Sequence, residues 1–445
     1  MVLLSASMGT PALPVWTLVP FILMLLAIAI APLVANHWWE HNKNKLIVSL
    51  ILGIPVAIYL ISNGLVANLE HQLLYDYVPF IILLGALFTV TGGIHLKGAI
   101  EAKPWVNTLF LGIGGILASI MGTTGAAMLL IRPVITTNQE RKYTVHTILF
   151  FIAIVANCGG LLSPLGDPPL FLLYLRGVDF GWFLTLLPQW ALANGLLLAI
   201  YFICDSYFHK KEPAENIYRD KTIIDPLKIV GNLNFLWLIG IVATVAFITS
   251  KTFFDTPEDI KSHANTFKLI QSGVLVVISL LSLAFTKKVV RHANKFSWAP
   301  IIEVTFLFLG IFITMVPALL YLSANAASFG LSETWHFYYS TGALSAFLDN
   351  APTAISFYEL AHGLNFSHLG DAVSVGGIPQ IIMKAIAVGS VFFGAMTYIG
   401  NGPNFMVKAI AERHKIPMPS FFGYMIKFSL IVLLPIYIIV QLCFF

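Results

Sequence analysis

The chain has 445 residues, of which 58% are hydrophobic and only 10% charged, and its mean hydropathy of +0.85 excludes a soluble domain of this length. The formal charge of +4 is a property of loops and excludes a nucleic-acid footprint; three scattered cysteines, Cys158, Cys204 and Cys443, exclude a disulfide framework or a metal-ligand spacing. What remains is an all-α polytopic membrane protein, because the long apolar runs lack the alternating strands of an outer-membrane barrel.

A first span fits Val15 to Ala35. No Lys or Arg precedes it, so a cleaved signal peptide is not expected and the span stays. The loop after it carries Lys43 and Lys45, and a second span runs from Leu46 to about Ser62. The next loop, Asn63 to Tyr77, has Glu70 and Asp76 but no Lys or Arg. By the positive-inside rule the first loop is cytoplasmic and the second external, which starts the N-terminus outside. A third span, Val78 to His95, returns to the cytoplasm at Lys97 and Lys103.

The segment Pro104 to Ile135 is apolar but broken by Met121-Gly122-Thr123-Thr124-Gly125, with basic residues at both ends. Two full spans would need ~40 residues at ~1.5 Å rise each, so the segment is expected to be a re-entrant hairpin (104–135) with its tip near the midplane. The chain then goes outward through residues 143–175, where Ala156-Asn157-Cys158-Gly159-Gly160-Leu161-Leu162-Ser163-Pro164-Leu165-Gly166-Asp167-Pro168-Pro169 should unwind the helix. Hydrocarbon offers no hydrogen-bond partners, so such backbone survives only if it is buried in protein or lines a cavity. Trp182 to Tyr207 comes back in.

The polar segment His209 to Asn232 is a cytoplasmic linker (209–232) dividing the chain into repeats 1–208 and 233–445. Leu233 to Ser250 goes out, Lys251 to Lys268 forms an external loop, and Leu269 to Phe285 returns to a basic loop with Lys287, Lys288, Arg291 and Lys295. Pro300 to Leu322 goes out again. A second hairpin, 335–361, has Ser345-Ala346-Phe347-Leu348-Asp349-Asn350-Ala351-Pro352-Thr353 at its tip; its flanks, Ser323 to Thr334 and His362 to Gln380, lack Lys and Arg, so it opens outside. A second broken helix, 381–413, is interrupted at Thr397-Tyr398-Ile399-Gly400-Asn401-Gly402-Pro403-Asn404 and leads to Lys408, Arg413 and Lys415. A last span, Phe421 to Phe444, ends outside.

The halves read as one unit used twice. Gly85-Ala86-Leu87-Phe88-Thr89 matches Gly310-Ile311-Phe312-Ile313-Thr314 at an offset of 225, the hairpin tips match at 226, and Leu165-Gly166-Asp167-Pro168-Pro169 matches Ile399-Gly400-Asn401-Gly402-Pro403 at 234. The topology gives the copies opposite orientations, so the expected fold is two inverted repeats, each with full spans, one hairpin and one broken helix: about ten spans plus two hairpins.

The motifs Asn157-Cys158-Gly159-Gly160, Ser163-Pro164-Leu165-Gly166-Asp167-Pro168 and Leu348-Asp349-Asn350-Ala351-Pro352, with the order of elements over nearly the whole chain, resemble the ion transporter superfamily. Within it they are most similar to the NhaD-type sodium/proton antiporters and the related citrate-transporter-like group. The resemblance implies a homodimer, with a scaffold and a transport unit of two hairpins and two broken helices working by alternating access. There is a departure: such antiporters carry an Asp-Asn pair in the first hairpin, whereas this tip is Thr123-Thr124-Gly125, followed by Ala126 to Pro133 in a form closer to arsenite- and citrate-type members. That puts the transported ion in question.

Asp167 and Asp349 are the acids placed at tip or break depth. An intramembrane carboxylate marks a pathway by default, although both could instead cap half-helices. Away from water one carboxylate can hold a proton or a sodium ion, each expelling the other, which is the chemistry of an antiporter. The hydroxyls of Thr123, Thr124 and Ser163 and the side chains of Asn157, Asn350 and Asn401 would complete an oxygen shell for the transported Na+, with no organic cofactor. The rival is a sodium-coupled di- or tricarboxylate symporter, for which two nearby carboxylates would repel the substrate; an enzyme is third, with Asp349 as an intramembrane protease acid lacking a suitable partner. Lys384 is expected to snorkel, His146 to be an interfacial residue without special role, and Glu303 to be solvated. The expected setting is the inner or plasma membrane, with lipid and small ions as partners and both termini outside.

Overall fold

The computed structural model describes residues 13–222, 224–369 and 373–445. The N-terminal residues 1–12, residue 223 of the linker and residues 370–372 of the loop after the second hairpin fall outside that set. Among the described residues, nine helices are long and apolar enough to cross a membrane, accompanied by two shorter apolar helices, Leu233–Phe247 and Gln380–Met396. The chain is an all-α polytopic membrane protein.

In the first half the main helices are α1 (Val19–Val34), α2 (Asn42–Ser62) and α3 (Val78–Thr91), then a strand β1 (His95–Ala99). The hairpin follows as α4 (Pro104–Met121) and α5 (Thr123–Thr137), the broken helix as α6 (Val145–Ile154) and α7 (Pro168–Leu175), and the half closes with α8 (Leu187–Lys210). The second half has α10 (Leu233–Phe247), α11 (Pro257–Phe285) and α12 (Ala299–Ala324), after the linker elements α9 (Ala214–Thr222) and β2 (Asp225–Val230). The second hairpin is α13 (Thr334–Phe347) with α14 (Asn350–His362), the second broken helix α15 (Gln380–Phe393) with α16 (Gly402–Arg413), and α17 (Leu434–Phe444) ends the chain.

Each interruption falls where the sequence denies the backbone a helix. Gly122 takes φ +82° between α4 and α5, a left-handed conformation that side chains with a Cβ avoid. Pro168 and Pro169 open α7 and Pro403 follows Gly402 at the start of α16; a proline is tolerated there because the first N–H groups of a helix have no intrahelical partner.

Three expected loops are shorter than their composition suggests. Asn63 to Tyr77 is mostly helical: Val66–His71 and a π-helical turn, Gln72–Tyr77, run straight into α3. The loop 251–268 ends early because α11 starts at Pro257, where the Thr256 hydroxyl accepts from the Asp259 N–H. The linker is folded as well, since β2 pairs antiparallel with β1 and the Asp220 carboxylate accepts from the Ala102 N–H at 2.8 Å. Polar residues marked these segments as outside hydrocarbon, and water at an interface allows helix and strand as readily as coil. The third span also stops short, because His95 belongs to β1.

The helices pack as two sets. In one, α2 lies along α12 and α11 along α3; in the other, α13 lies against α15 and α14 against α7 and α15. The sets meet where α12 packs on α14 and α3 on α5. At and just beyond the end of α3, four carbonyls are answered from the second half: Thr89 by Arg291 at 2.8 Å, Gly93 by Asn234 at 2.9 Å, Gly92 and Ile94 by Asn294 at 2.9 and 2.6 Å. Asn234 also accepts from the Ser282 hydroxyl at 2.6 Å. Asn234→Ala is expected to destabilise the solubilised protein by ~1–3 kcal/mol and Ser282→Ala by less, read as melting temperature in detergent.

Candidate functional site

Four helices begin at one point inside the protein. Thr123 opens α5, Asp167 is the residue before α7, Asn350 opens α14 and Asn401 is the residue before α16. Their side chains meet on Asp167. Its Oδ1 accepts from the Thr123 hydroxyl at 2.8 Å and from the Asn401 amide at 2.9 Å, and its Oδ2 from the Asn350 amide at 2.5 Å. Asp167 is 2% exposed, and among the described residues no Lys, Arg or His bonds to it.

This arrangement separates the two carboxylates that the sequence grouped together. Asp167 does not cap its own helix; its carboxylate is spent entirely on residues of three other helices. Asp349 does cap: its Oδ1 accepts from the Ala351 N–H at 3.0 Å, and the side chain is half-buried. The residue reaching Asp167 from the second hairpin is its neighbour Asn350.

The broken helices are stitched to each other beside the carboxylate. Asn157 donates to the Asn404 side-chain oxygen at 2.7 Å and to the Ile152 carbonyl at 2.8 Å, and Asn401 donates to the Asn157 oxygen at 3.2 Å and the Ala156 carbonyl at 3.1 Å. Asn404 in turn donates to the carbonyls of Gly394 and Thr397 at 2.8 and 2.9 Å. These amides satisfy the backbone that unwinding freed, as they must where water is excluded. Ser163 serves the same purpose rather than facing Asp167: its hydroxyl donates to the Ser119 carbonyl and accepts from the Leu165 N–H. Thr124 is half-buried at the first tip and makes no side-chain hydrogen bond to the others.

Both halves carry hydroxyl braces at matching donor positions, with acceptor carbonyls that are shifted. Thr397, 234 residues after Ser163, donates to the Ala346 carbonyl at 2.5 Å and accepts from Gly400 at 3.1 Å. Ser119 donates to the Gly159 carbonyl at 2.5 Å, and Ser345, 226 residues on, donates to the Ser390 carbonyl at 2.6 Å. A Cβ on Gly166 would overlap the Gly160 carbonyl oxygen, and one on Gly400 would lie 2.7 Å from that of Gly394, again at the 234 offset. Asn404, Ser119, Thr397 and Ser345 were missing from the sequence-based site, although the 234 offset from Ser163 pointed to Thr397.

Other polar residues turn out to be partnered. His146 is not a lone interfacial histidine: its Nε2 lies 2.8 Å from Asp205 Oδ1, which also takes Arg141 Nη2 at 2.7 Å, while Asn107 donates to Oδ2 at 3.1 Å. Glu303 is half-exposed but pairs with the buried Lys45 at 2.8 Å. Lys384 on α15 donates to the Thr185 carbonyl at 3.5 Å.

A bundle of membrane helices in which two hairpin tips and two broken helices enclose a buried carboxylate defines a multi-pass membrane transporter. Residues 10–445 match the family described as "Putative citrate transport", and the chain belongs to that family. It is also similar to the inner membrane protein YbiR of Escherichia coli (strain K12), at 26% identity over 136 residues, which is 28% of this chain and 36% of that protein. The match therefore spans about a third of the relative's length.

Gly166→Ala is expected to remove most folded protein, because its methyl meets a carbonyl oxygen that is fixed by the crossing, and Gly400→Ala to be the milder of the two. Monodispersity in size-exclusion chromatography and melting temperature will check this order.

Proposed function

We propose that the chain is a secondary transporter that exchanges Na+ for H+ by alternating access, with Asp167 as the group for which the two compete. One observation carries this reading: a buried carboxylate, held only by neutral donors, lies where four helices break. A charge so placed is costly without a counter-ion, and a proton or a metal ion supplies what no basic side chain does. Half-turns of the Asn350 and Asn401 amides would present oxygens in place of N–H groups, and the Thr123 hydroxyl can turn its lone pairs inward, so the same residues suit either occupant. Asp349 would add negative potential from the second tip. The repeated braces support two inverted copies, and the protein is read as a homodimer of the inner or plasma membrane with both termini outside, needing no organic cofactor.

A second reading is a sodium-coupled carrier of di- or tricarboxylates. The family description supports it, and so does the convergence of four helix N-termini, whose partial positive charges favour an anion. Asp167 then holds sodium beside the substrate.

In everted vesicles, Asp167→Asn is expected to abolish the sodium-induced collapse of ΔpH, whereas Asp349→Asn keeps part of it because Asn can still cap α14. Full exchange by Asp167→Asn would overturn the assignment. Uptake of labelled citrate that requires a sodium gradient, without sodium-induced proton movement, would move the conclusion to the carrier.

A further inference from the structure

A second buried charge cluster lies away from the crossing, on the face that the charge pattern assigns to the outside. Arg176, at the end of α7, places Nη1 2.6 Å from Asp76 Oδ2 and Nε 3.1 Å from Glu359 Oε1. Lys268 on α11 lies 3.5 Å from Asp76 Oδ1, and His71 Nδ1 3.9 Å from Oδ2. Asp76 is only 2% exposed.

These residues divide between the two packing sets. Asp76 precedes α3 and Lys268 sits on α11, which lies along α3; Arg176 ends α7 and Glu359 lies on α14, which packs against α7. Among these ion pairs Asp76–Arg176 is the one that crosses the boundary, alongside hydrogen bonds from Arg176 to Gln72 and from Gln271 on α11 to the Tyr174 hydroxyl on α7. Beside that ion pair is a narrow seam with no room for a water molecule, with Gln72, Asp76 and Phe312 on one side and Leu172, Arg176 and Ile355 on the other.

We propose that Asp76 and Arg176 are the outer gate of the transport cycle, closing the route between the two sets in this structure and parting when the protein opens outward. The proposal rests on the alternating-access reading. Its physical basis is the way the charges divide. Arg176 leaves with Glu359 and Asp76 stays with Lys268, so each set keeps one acid and one base. Opening thus breaks an ion pair without leaving an uncompensated charge, which is what makes the loss of one partner of a buried pair so costly. Asp76 holds the gate shut, while Glu359 and Lys268 make the open state tolerable.

This assigns opposite effects to two acids on the same arginine. The test places Leu172→Cys in the seam of the full-length protein, in a background with Cys204→Ser and Cys443→Ser, and follows labelling by a membrane-impermeant maleimide applied outside. Asp76→Asn is expected to speed labelling about fivefold or more, within the range of coupled two-state equilibria. Glu359→Gln is expected to slow it below the parent, because the open state then strands Arg176. Lys268→Gln should also slow it, by stranding Asp76, and remains informative if Asp76→Asn does not fold. Shifts of Asp76→Asn and Glu359→Gln in the same direction, or no shift in Glu359→Gln and Lys268→Gln, would overturn the gate. The readout follows opening and not cargo, so it stands apart from whether sodium, protons or a carboxylate is carried.

Discussion

The structure depends on a single constraint: backbone and charge removed from water must find every partner inside the protein. Unwinding two helices frees N–H and C=O groups at a depth where lipid offers nothing. The protein answers with a crossing in which each broken helix is repaired by the other half of the chain. Asn157 from the first break bonds to Asn404 beyond the second, and Asn401 from the second bonds to Asp167 at the end of the first. Neither break would be satisfied in an isolated half.

Because the repair is mutual, Asp167 has a double role. Its two oxygens hold the first hairpin through Thr123, the second through Asn350 and the second break through Asn401. Under the proposed exchange, a change in what the carboxylate holds would alter bonds to three helices at once. That is the coupling a transporter requires: the occupant is read by the elements that must move. The serine and threonine braces have the opposite character. They tie hairpins to breaks within each half, so each half of the crossing can respond as a stiff piece.

Charges elsewhere follow the same economy. Arg141 with Asp205 and Glu212 forms one cluster, to which His146 bonds, and Arg176, Asp76, Glu359 and Lys268 form another, each setting acids against bases. The first joins α6 and α8 next to the linker, and the second bridges the two helix sets. Asp167 differs from both in having only neutral partners, and this contrast, rather than burial as such, singles it out.

Periodic apolar runs and misplaced Gly, Pro and Asp were enough to establish from the sequence the membrane class and the points where helices are interrupted, because a helix in hydrocarbon must be long, apolar and continuous and each violation is visible locally. The residues near the crossing were legible for the same reason: Thr123, Asn157, Asp167, Asn350 and Asn401 all lie in or beside a break. What each does was not. Asp167 and Asp349 look alike in sequence, both preceding a half-helix, and only three-dimensional packing made one a keystone and the other a cap. His146 looked like an interface residue because its acid, Asp205, lies 59 residues away. Local sequence decides where a helix must end; which distant side chain meets that end is settled only when the halves come together.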